Sequence, residues 1–241
     1  MGRNAPARNG GQDMARLLYE LAGADPDRRF SPFCWRTRFA LAHKNLAAEG
    51  MPWRFTEKDR LAFSGQGLVP VLVDGEQTIT DSWRIAEWLE DKHPAPALFA
   101  PHRGFARFIN TWADTVLHPA LARLIVKDIH DCLAPPDQAY FRTTREARFG
   151  ATLEAVQGAR EMEVIGFRKL FGPVRAALTG QPWLGGEAPD YADYILLGSL
   201  QWARCTSPFR LFTEDDVVFA WRARGFALFE GMAAKAVGYP A

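Results

Sequence analysis

The first part of the chain alternates short apolar runs with a helical pattern. Residues 15–21 form an apolar run closed by turn residues, which predicts a buried strand. Ser31 and Pro32 then supply a helix cap and a first-turn proline, and apolar residues recur at helical spacing as far as Asn45. Residues 53–56 alternate apolar and polar side chains, as a second strand would. This order, strand then helix then strand, predicts the start of a small α/β layer.

A hairpin and another helix extend this layer. Residues 69–74 predict a third strand ending in an Asp-Gly turn, and residues 76–79 return as the second arm. Ser82 is the predicted cap of a following helix, which stops at a His-Pro pair. The sequence therefore predicts an α/β unit over residues 14–94.

The remainder of the chain carries a helical pattern only. Three prolines within residues 93–101 indicate a linker, which we place at residues 95–101. No alternating run follows, so residues 102–241 are predicted to be all-helical. The fold class is thus α/β plus all-α. The predicted helices span residues 105–129, 136–159, 167–178, 190–203 and 215–229.

Composition narrows the function classes. The 241 residues are 48% hydrophobic and 24% charged, which is typical of a folded, soluble chain. A net charge of +1 leaves no basic surplus, so we expect neither nucleic acid nor a membrane as partner. Residues 1–13 carry arginines without an apolar core and are predicted to be a disordered leader. The 12% aromatic content suits a pocket for a flat apolar ligand.

The cysteines and histidines argue against a disulfide framework and a metal site. Three cysteines at wide spacing form neither paired bridges nor a CxxC metal motif. The five histidines never fall at the i, i+4 spacing of a helical zinc pair, so no metal is expected. A reducing compartment, and so a cytoplasmic location, is the expectation.

The segment around Ser31 is the first candidate for chemistry. Ser31 and Cys34 lie at the start of a helix that follows a strand, where free N–H groups and a partial positive charge stabilise an anion such as a thiolate. The Ser31 hydroxyl could donate to that anion. The same residues also read as an ordinary N-cap and first helical turn.

Two further segments could contact a peptide ligand. Val69-Pro70 opens a strand with a residue that cannot donate to the sheet, which fits an edge, a bulge or a cis turn. A cis bond would leave the Val69 backbone free to pair with an extended peptide. Asp81 and Ser82, between a strand and a helix, could bind an amino-acid head group, or could simply cap that helix.

The order and spacing of these three signals resemble the glutathione transferases. The resemblance runs over essentially the whole chain and implies a thioredoxin-like N-terminal domain, glutathione as co-substrate and a homodimer. It also implies that Asp190 caps a helix of the second domain and that Asp193 reaches back to the cap. It makes Ser31 the catalytic residue and assigns glutathione binding to Phe33, Gln66, Val69, Pro70, Asp81 and Ser82.

A narrower resemblance is to the bacterial glutathione-dependent β-aryl etherases of lignin degradation and their fungal relatives. It rests on residues 31–41, 69–75, 81–89 and 211–216. The implied reaction is displacement of a phenolate by the glutathione thiolate. The implied acceptor pocket lies between the domains and is walled by Phe105, Phe108, Trp112, Tyr140 and Trp202.

Two alternatives stay open. A glutathione-dependent thiol reductase would use Cys34, since Ser31 to Cys34 has the outline of a CxxC motif without its first cysteine. A non-catalytic module of the same fold would bind glutathione or an apolar cargo without turning it over.

Overall fold

The computed structural model describes residues 16–99 and 102–240. The leader expected at residues 1–13 and residues 100 and 101 of the expected linker lie outside the described residues. None of the helices in the described ranges has both the length and the apolar character that crossing a membrane requires.

Within the described part of the N-terminal unit, four strands form one mixed sheet. The strands are β1 (Leu17–Leu21), β2 (Glu49–Trp53), β3 (Val71–Asp74) and β4 (Gln77–Thr80), in the order β2-β1-β3-β4. β1 pairs parallel with β2 and antiparallel with β3, and β4 is the other arm of the β3 hairpin. Helices α1 (Pro32–His43) and α2 (Ser82–Lys92) complete the α/β layer that the sequence predicts.

The second strand lies earlier in the chain than predicted. The structure ends β2 at Trp53, where the sequence pattern placed its start, because the chain turns there and Glu57 N–H donates to the Arg54 carbonyl at 3.0 Å. Pro52 is tolerated because β2 is an edge strand and the missing N–H costs the sheet nothing on its open side. Residues 58–64 then form a 3₁₀ helix that leads to β3.

The cap of α2 is also a correction. Asp81, not Ser82, is the N-cap: its Oδ1 accepts from the N–H groups of Trp83 at 3.0 Å and Arg84 at 3.1 Å. Ser82 is instead the first helical residue and is buried. A carboxylate acceptor placed before the helix satisfies two otherwise unpaired N–H donors.

In the described residues of the C-terminal unit, every named element is a helix. A long helical rod combines α3 (Arg103–Trp112), a π turn at Ala113–Leu117 and α4 (His118–Asp131). The predicted helix 136–159 divides at Gly150, whose φ of 67° ends the first segment. The predicted helix 167–178 divides beside Phe171. The further helices are α5 (Pro135–Phe149), α6 (Leu153–Gly158), α7 (Arg160–Leu170), α8 (Gly172–Gly180), α9 (Tyr191–Thr206) and α10 (Val217–Lys235), the last interrupted at 228–231.

Asp190 and Asp193 fix the start of α9, as predicted. Asp190 accepts from Ala192 N–H at 2.8 Å, and Asp193 reaches back to Asp190 N–H at 3.2 Å. The fully buried Asp193 also accepts from the Trp221 indole N–H at 2.9 Å, which ties α9 to α10. The capping box therefore also anchors the tertiary structure.

The two units pack through α1 and α9. A Cβ added at Gly198 of α9 would lie 2.8 Å from the Pro32 carbonyl oxygen and 3.0 Å from the Arg36 nitrogen, so only glycine permits this approach. The fully buried Arg36 of α1 also donates hydrogen bonds to the α3–α4 rod, to Asn110 Oδ1 at 2.6 Å and to Asp114 Oδ1 at 2.9 Å. The N-terminal half of α1, which follows the cap residue Ser31, is thus held against the helical unit.

Candidate functional site

A cavity of about 630 Å³ opens between the α/β unit and the helical unit. Its lining comes from the β1–α1 loop, the start of α1, the loop before β3, the start of α2, the α3–α4 rod, α5 and α9. The sequence-predicted residues that line it are Ser31, Phe33, Gln66, Val69, Pro70, Asp81, Ser82, Tyr140 and Trp202.

Ser31 sits where a thiolate could be stabilised. It is the N-cap of α1, it is buried, and its Oγ accepts from Cys34 N–H at 3.3 Å. That bond uses the oxygen and leaves the hydroxyl hydrogen able to turn toward a ligand atom. Ser31 and the first residues of α1 line the same cavity, so the positive end of the helix lies beside it.

Cys34 is poorly suited to nucleophilic chemistry. Its side chain is buried and does not line the cavity, and burial raises the pKa of its thiol to about 12. At neutral pH such a thiol stays protonated, and a protonated thiol is a weak nucleophile. The geometry therefore favours Ser31 over Cys34 as the group that faces a ligand.

The other two predicted segments meet Ser31 at the cavity. The Val69–Pro70 peptide bond is cis, and both residues are in the lining. Asp81 has a φ of 73° and its Oδ1 is engaged in capping α2, while its other carboxylate oxygen has no partner among the described side chains. Gln66 donates to the Leu68 carbonyl at 3.2 Å. Three separated stretches of the α/β unit thus converge on one space.

Part of the predicted aromatic wall lies elsewhere. Phe105 and Phe108 are exposed, and Trp112 packs its ring against Phe171 at a centroid distance of 6.2 Å. None of the three lines the cavity. The rod presents Asp114 and His118 there instead. Phe105 precedes Asp114 by nine residues, which at 3.6 residues per turn is about 180° around the helix, so the two point in opposite directions.

Two family models match this chain. The glutathione S-transferase N-terminal domain matches residues 30–92, and the glutathione S-transferase C-terminal domain matches residues 104–211. The chain belongs to the glutathione S-transferase superfamily. Together the two family models cover both structural units and well over half of the chain.

Individual relatives of this glutathione S-transferase family member are distant. Glutathione S-transferase Z2 of Arabidopsis thaliana is 34% identical to this chain over 87 residues. The matched residues make up 34% of this chain and only 39% of the plant protein. Maleylpyruvate isomerase of Ralstonia sp is 28% identical over 178 residues, 70% of this chain and 76% of that protein. The structure of a Ceriporiopsis subvermispora glutathione S-transferase in complex with glutathione superposes with a TM-score of 0.76 at 24% identity. The superposition covers 90% of this chain and 96% of the fungal chain, and it shows that the two share the glutathione S-transferase fold.

Three cationic side chains in the cavity of this family member have no counterpart in the sequence-based prediction. They are Lys58, Arg145 and Arg148. Arg145 stacks over the rings of Phe141 at 4.6 Å and Phe55 at 5.3 Å, and no carboxylate of the described residues lies within 4.0 Å of it. The arginine spacing of three residues on α5 places both guanidiniums on one helix face, a signal that the sequence does contain.

His118 is a further cavity residue that sequence reasoning did not assign. Its Nε2 lies 2.8 Å from Ser199 Oγ, and that hydroxyl already donates to the Ile195 carbonyl at 2.9 Å. The histidine must therefore donate through Nε2, which leaves Nδ1 as an acceptor. Burial, followed by the charge of Arg36, lowers the pKa of His118 to about 3. The imidazole is neutral at physiological pH.

Proposed function

We propose that this protein is a glutathione transferase in which Ser31 stabilises the glutathione thiolate for attack on an aromatic electrophile. The observation that carries the proposal is the convergence of Ser31, Val69-Pro70 and Asp81-Ser82 on one cavity that the helical unit closes. A hydroxyl and a helix N-terminus together could lower a thiol pKa from about 8.5 by ~2 units, which requires about 2.7 kcal/mol.

The proposed placement of glutathione follows the chemistry of each segment. The free carboxylate oxygen of Asp81 would accept from the glutamyl ammonium, and the start of α2 at Ser82 would receive the glutamyl carboxylate. The Val69 backbone would pair with the central residue. Gln66 and Lys58, which also line the cavity, would bind the glycine carboxylate.

The specific reaction that we propose is cleavage of a β-aryl ether. The thiolate sulfur would bond to the carbon beside a ketone, the carbon–oxygen bond would break, and the phenol would leave as its anion, so no strong general acid is required. Support comes from the aromatic side chains that line the cavity and would contact two aryl groups. They are Phe30, Phe33, Trp53, Phe55, Tyr140, Phe141, Phe149 and Trp202.

Arg145 and Arg148 favour a second candidate, the isomerisation of an unsaturated dicarboxylate. The name of the Ralstonia relative denotes an isomerase that acts on such an acid. In this reaction a thiolate adds to an electron-poor cis double bond, the new single bond rotates, and elimination releases glutathione and the trans product. Guanidiniums without carboxylate partners would bind the substrate's anionic groups.

A substrate panel separates these reactions. We expect purified protein with glutathione to release phenol from a fluorogenic β-aryl ether, whereas maleylpyruvate tests isomerisation and a mixed disulfide tests reduction. Chlorodinitrobenzene tests general transferase activity. Phenol release is measured by fluorescence and isomerisation by absorbance.

The substitution Arg145→Met tests whether the substrate that reacts with glutathione is anionic. It should leave ether cleavage nearly unchanged but lower kcat/KM for maleylpyruvate by about tenfold or more, because a charge-assisted hydrogen bond is lost. Arg142→Met is the matched control on α5, since Arg142 bonds to Glu146 and Glu154 instead. Turnover of the disulfide alone, lost in Cys34→Ser, would support the reductase. If none of the substrates is turned over, the result would support a non-catalytic binding module.

We also propose that the protein is a homodimer. The exposed rings of Phe105 and Phe108 on α3 form an apolar face that a second copy could cover. Sedimentation is expected to give about twice the 27.0 kDa monomer mass. Phe108→Glu should shift the protein toward monomer, and the control Met162→Glu, at an exposed apolar residue of α7, should not. A monomeric wild type would refute the proposal.

A further inference from the structure

A second cavity lies within the helical unit. It has a volume of about 570 Å³ and shares no lining residue with the first cavity. Its walls come from the end of α9, the segment 207–214 that follows, the first half of α10 and the chain near Tyr239. Four of the lining side chains are arginines: Arg168, Arg204, Arg210 and Arg222.

Arg222 is the unusual member of this group. It is only 9% exposed, and no described carboxylate or hydrogen-bond acceptor pairs with its guanidinium. Its Nε is fully buried and has no hydrogen-bond partner among the residues that the structure describes. The contacts that the guanidinium does make are with aromatic rings, of Phe219 at 4.8 Å and Phe226 at 5.8 Å.

The neighbouring arginines do not relieve this charge. Arg168 donates to the Leu211 and Arg210 carbonyls, while Arg204 donates to the last carbonyls of α10. Arg210 faces the exposed Glu214 at 3.7 Å. Burial, followed by the charge of Arg204, lowers the pKa of Arg222. The cavity therefore carries an excess of positive charge.

An isolated charge in a buried place is costly unless it is paired, and a bound anion supplies the missing partner. We propose that this second cavity binds a small molecule through a carboxylate or phosphate group that pairs with Arg222. The planar fork of the guanidinium matches either oxyanion with two parallel hydrogen bonds. The rings of Phe209 and Phe219 in the lining would contact the apolar part of the ligand. The site is independent of glutathione and of turnover at the first cavity.

Thermal unfolding with defined probes tests the proposal. Sodium phosphate and sodium benzoate are each compared with sodium chloride at equal ionic strength, so that general salt effects cancel. At a hundredfold excess over Kd, at least one probe should raise the wild-type Tm by about 5 °C or more. Arg222→Met should abolish that rise. Arg224→Met, at an exposed arginine on the same helix, should keep it.

The unliganded variant gives a second readout. Because Arg222→Met removes an unpaired buried charge, its Tm in chloride should equal or exceed that of the wild type. The proposal is overturned if neither probe raises the wild-type Tm beyond chloride, or if Arg222→Met keeps the rise. Should Arg222→Met fail to fold, Arg222→Lys replaces it: it keeps the charge without the fork, and unchanged affinity for the probe would equally overturn the proposal.

Discussion

Ser31→Ala is expected to lower kcat/KM by about a hundredfold and to raise the pKa of bound glutathione by ~2 units. The reason is that Ser31 Oγ is the hydroxyl at the N-terminus of α1 within the cavity, where a thiolate would need a donor. At pH 7, a thiol that returns to its ordinary pKa of about 8.5 is only a few per cent ionised. Thiolate absorbance near 240 nm, titrated against pH with glutathione bound, measures the shift.

The matched variant is Cys34→Ser, one turn further along the same helix. Because the Cys34 thiol is buried and protonated, this variant should retain transferase activity. Ser31→Ala also removes a helix cap at a cost of about 1 kcal/mol, so the Tm of each variant separates lost stability from lost catalysis. Unchanged kcat/KM and thiol pKa in folded Ser31→Ala would remove the proposed role from Ser31.

Local signals carried most of the successful predictions. The cap at Ser31, the hairpin turn after Asp74 and the capping box of Asp190 and Asp193 depend on neighbours a few residues away, and the structure has all three. The sequence did not distinguish correctly between two adjacent candidates for the cap of α2: Ser82 was predicted, and Asp81 is the N-cap. Either side chain can accept from helix N–H groups, but the carboxylate one residue earlier is the one that does.

Long-range contacts were beyond the reach of such signals. Apolar spacing correctly made the segment with Phe105 and Trp112 helical, but it could not determine which face meets the α/β unit. That face is selected by Arg36, which lies 74 residues from Asn110 in the chain and bonds to it at 2.6 Å. The cavity arginines were missed for the same reason: charged residues on a helix usually face water, and only the packed fold shows which face is enclosed.

His118 should make the stability of the protein sensitive to acid. The pKa of His118 in the folded protein, about 3, lies below the ordinary value of 6.5. Between these two pH values the histidine is protonated in the unfolded chain but stays neutral in the folded protein. Stability from this residue is complete above pH 6.5 and falls by about 1.4 kcal/mol per pH unit down to about pH 3. Asp114 Oδ1 lies 3.6 Å from Nδ1 and would oppose this shift, but Asp114 is already paired with Arg36, so burial prevails.

The measurement is the free energy of unfolding in urea between pH 7 and pH 4, compared with His118→Gln. The glutamine amide can still donate to Ser199 but cannot take up a proton in this range, so the variant should lose less stability on acidification, by roughly 3 kcal/mol at pH 4. His102→Gln, at an exposed histidine, is the control and should follow the wild type. Parallel curves for wild type and His118→Gln would show that His118 accepts its proton in the folded protein. The ion pair with Asp114 would then offset the cost of burial, and a positive charge would lie beside Phe33 in the cavity at mildly acidic pH.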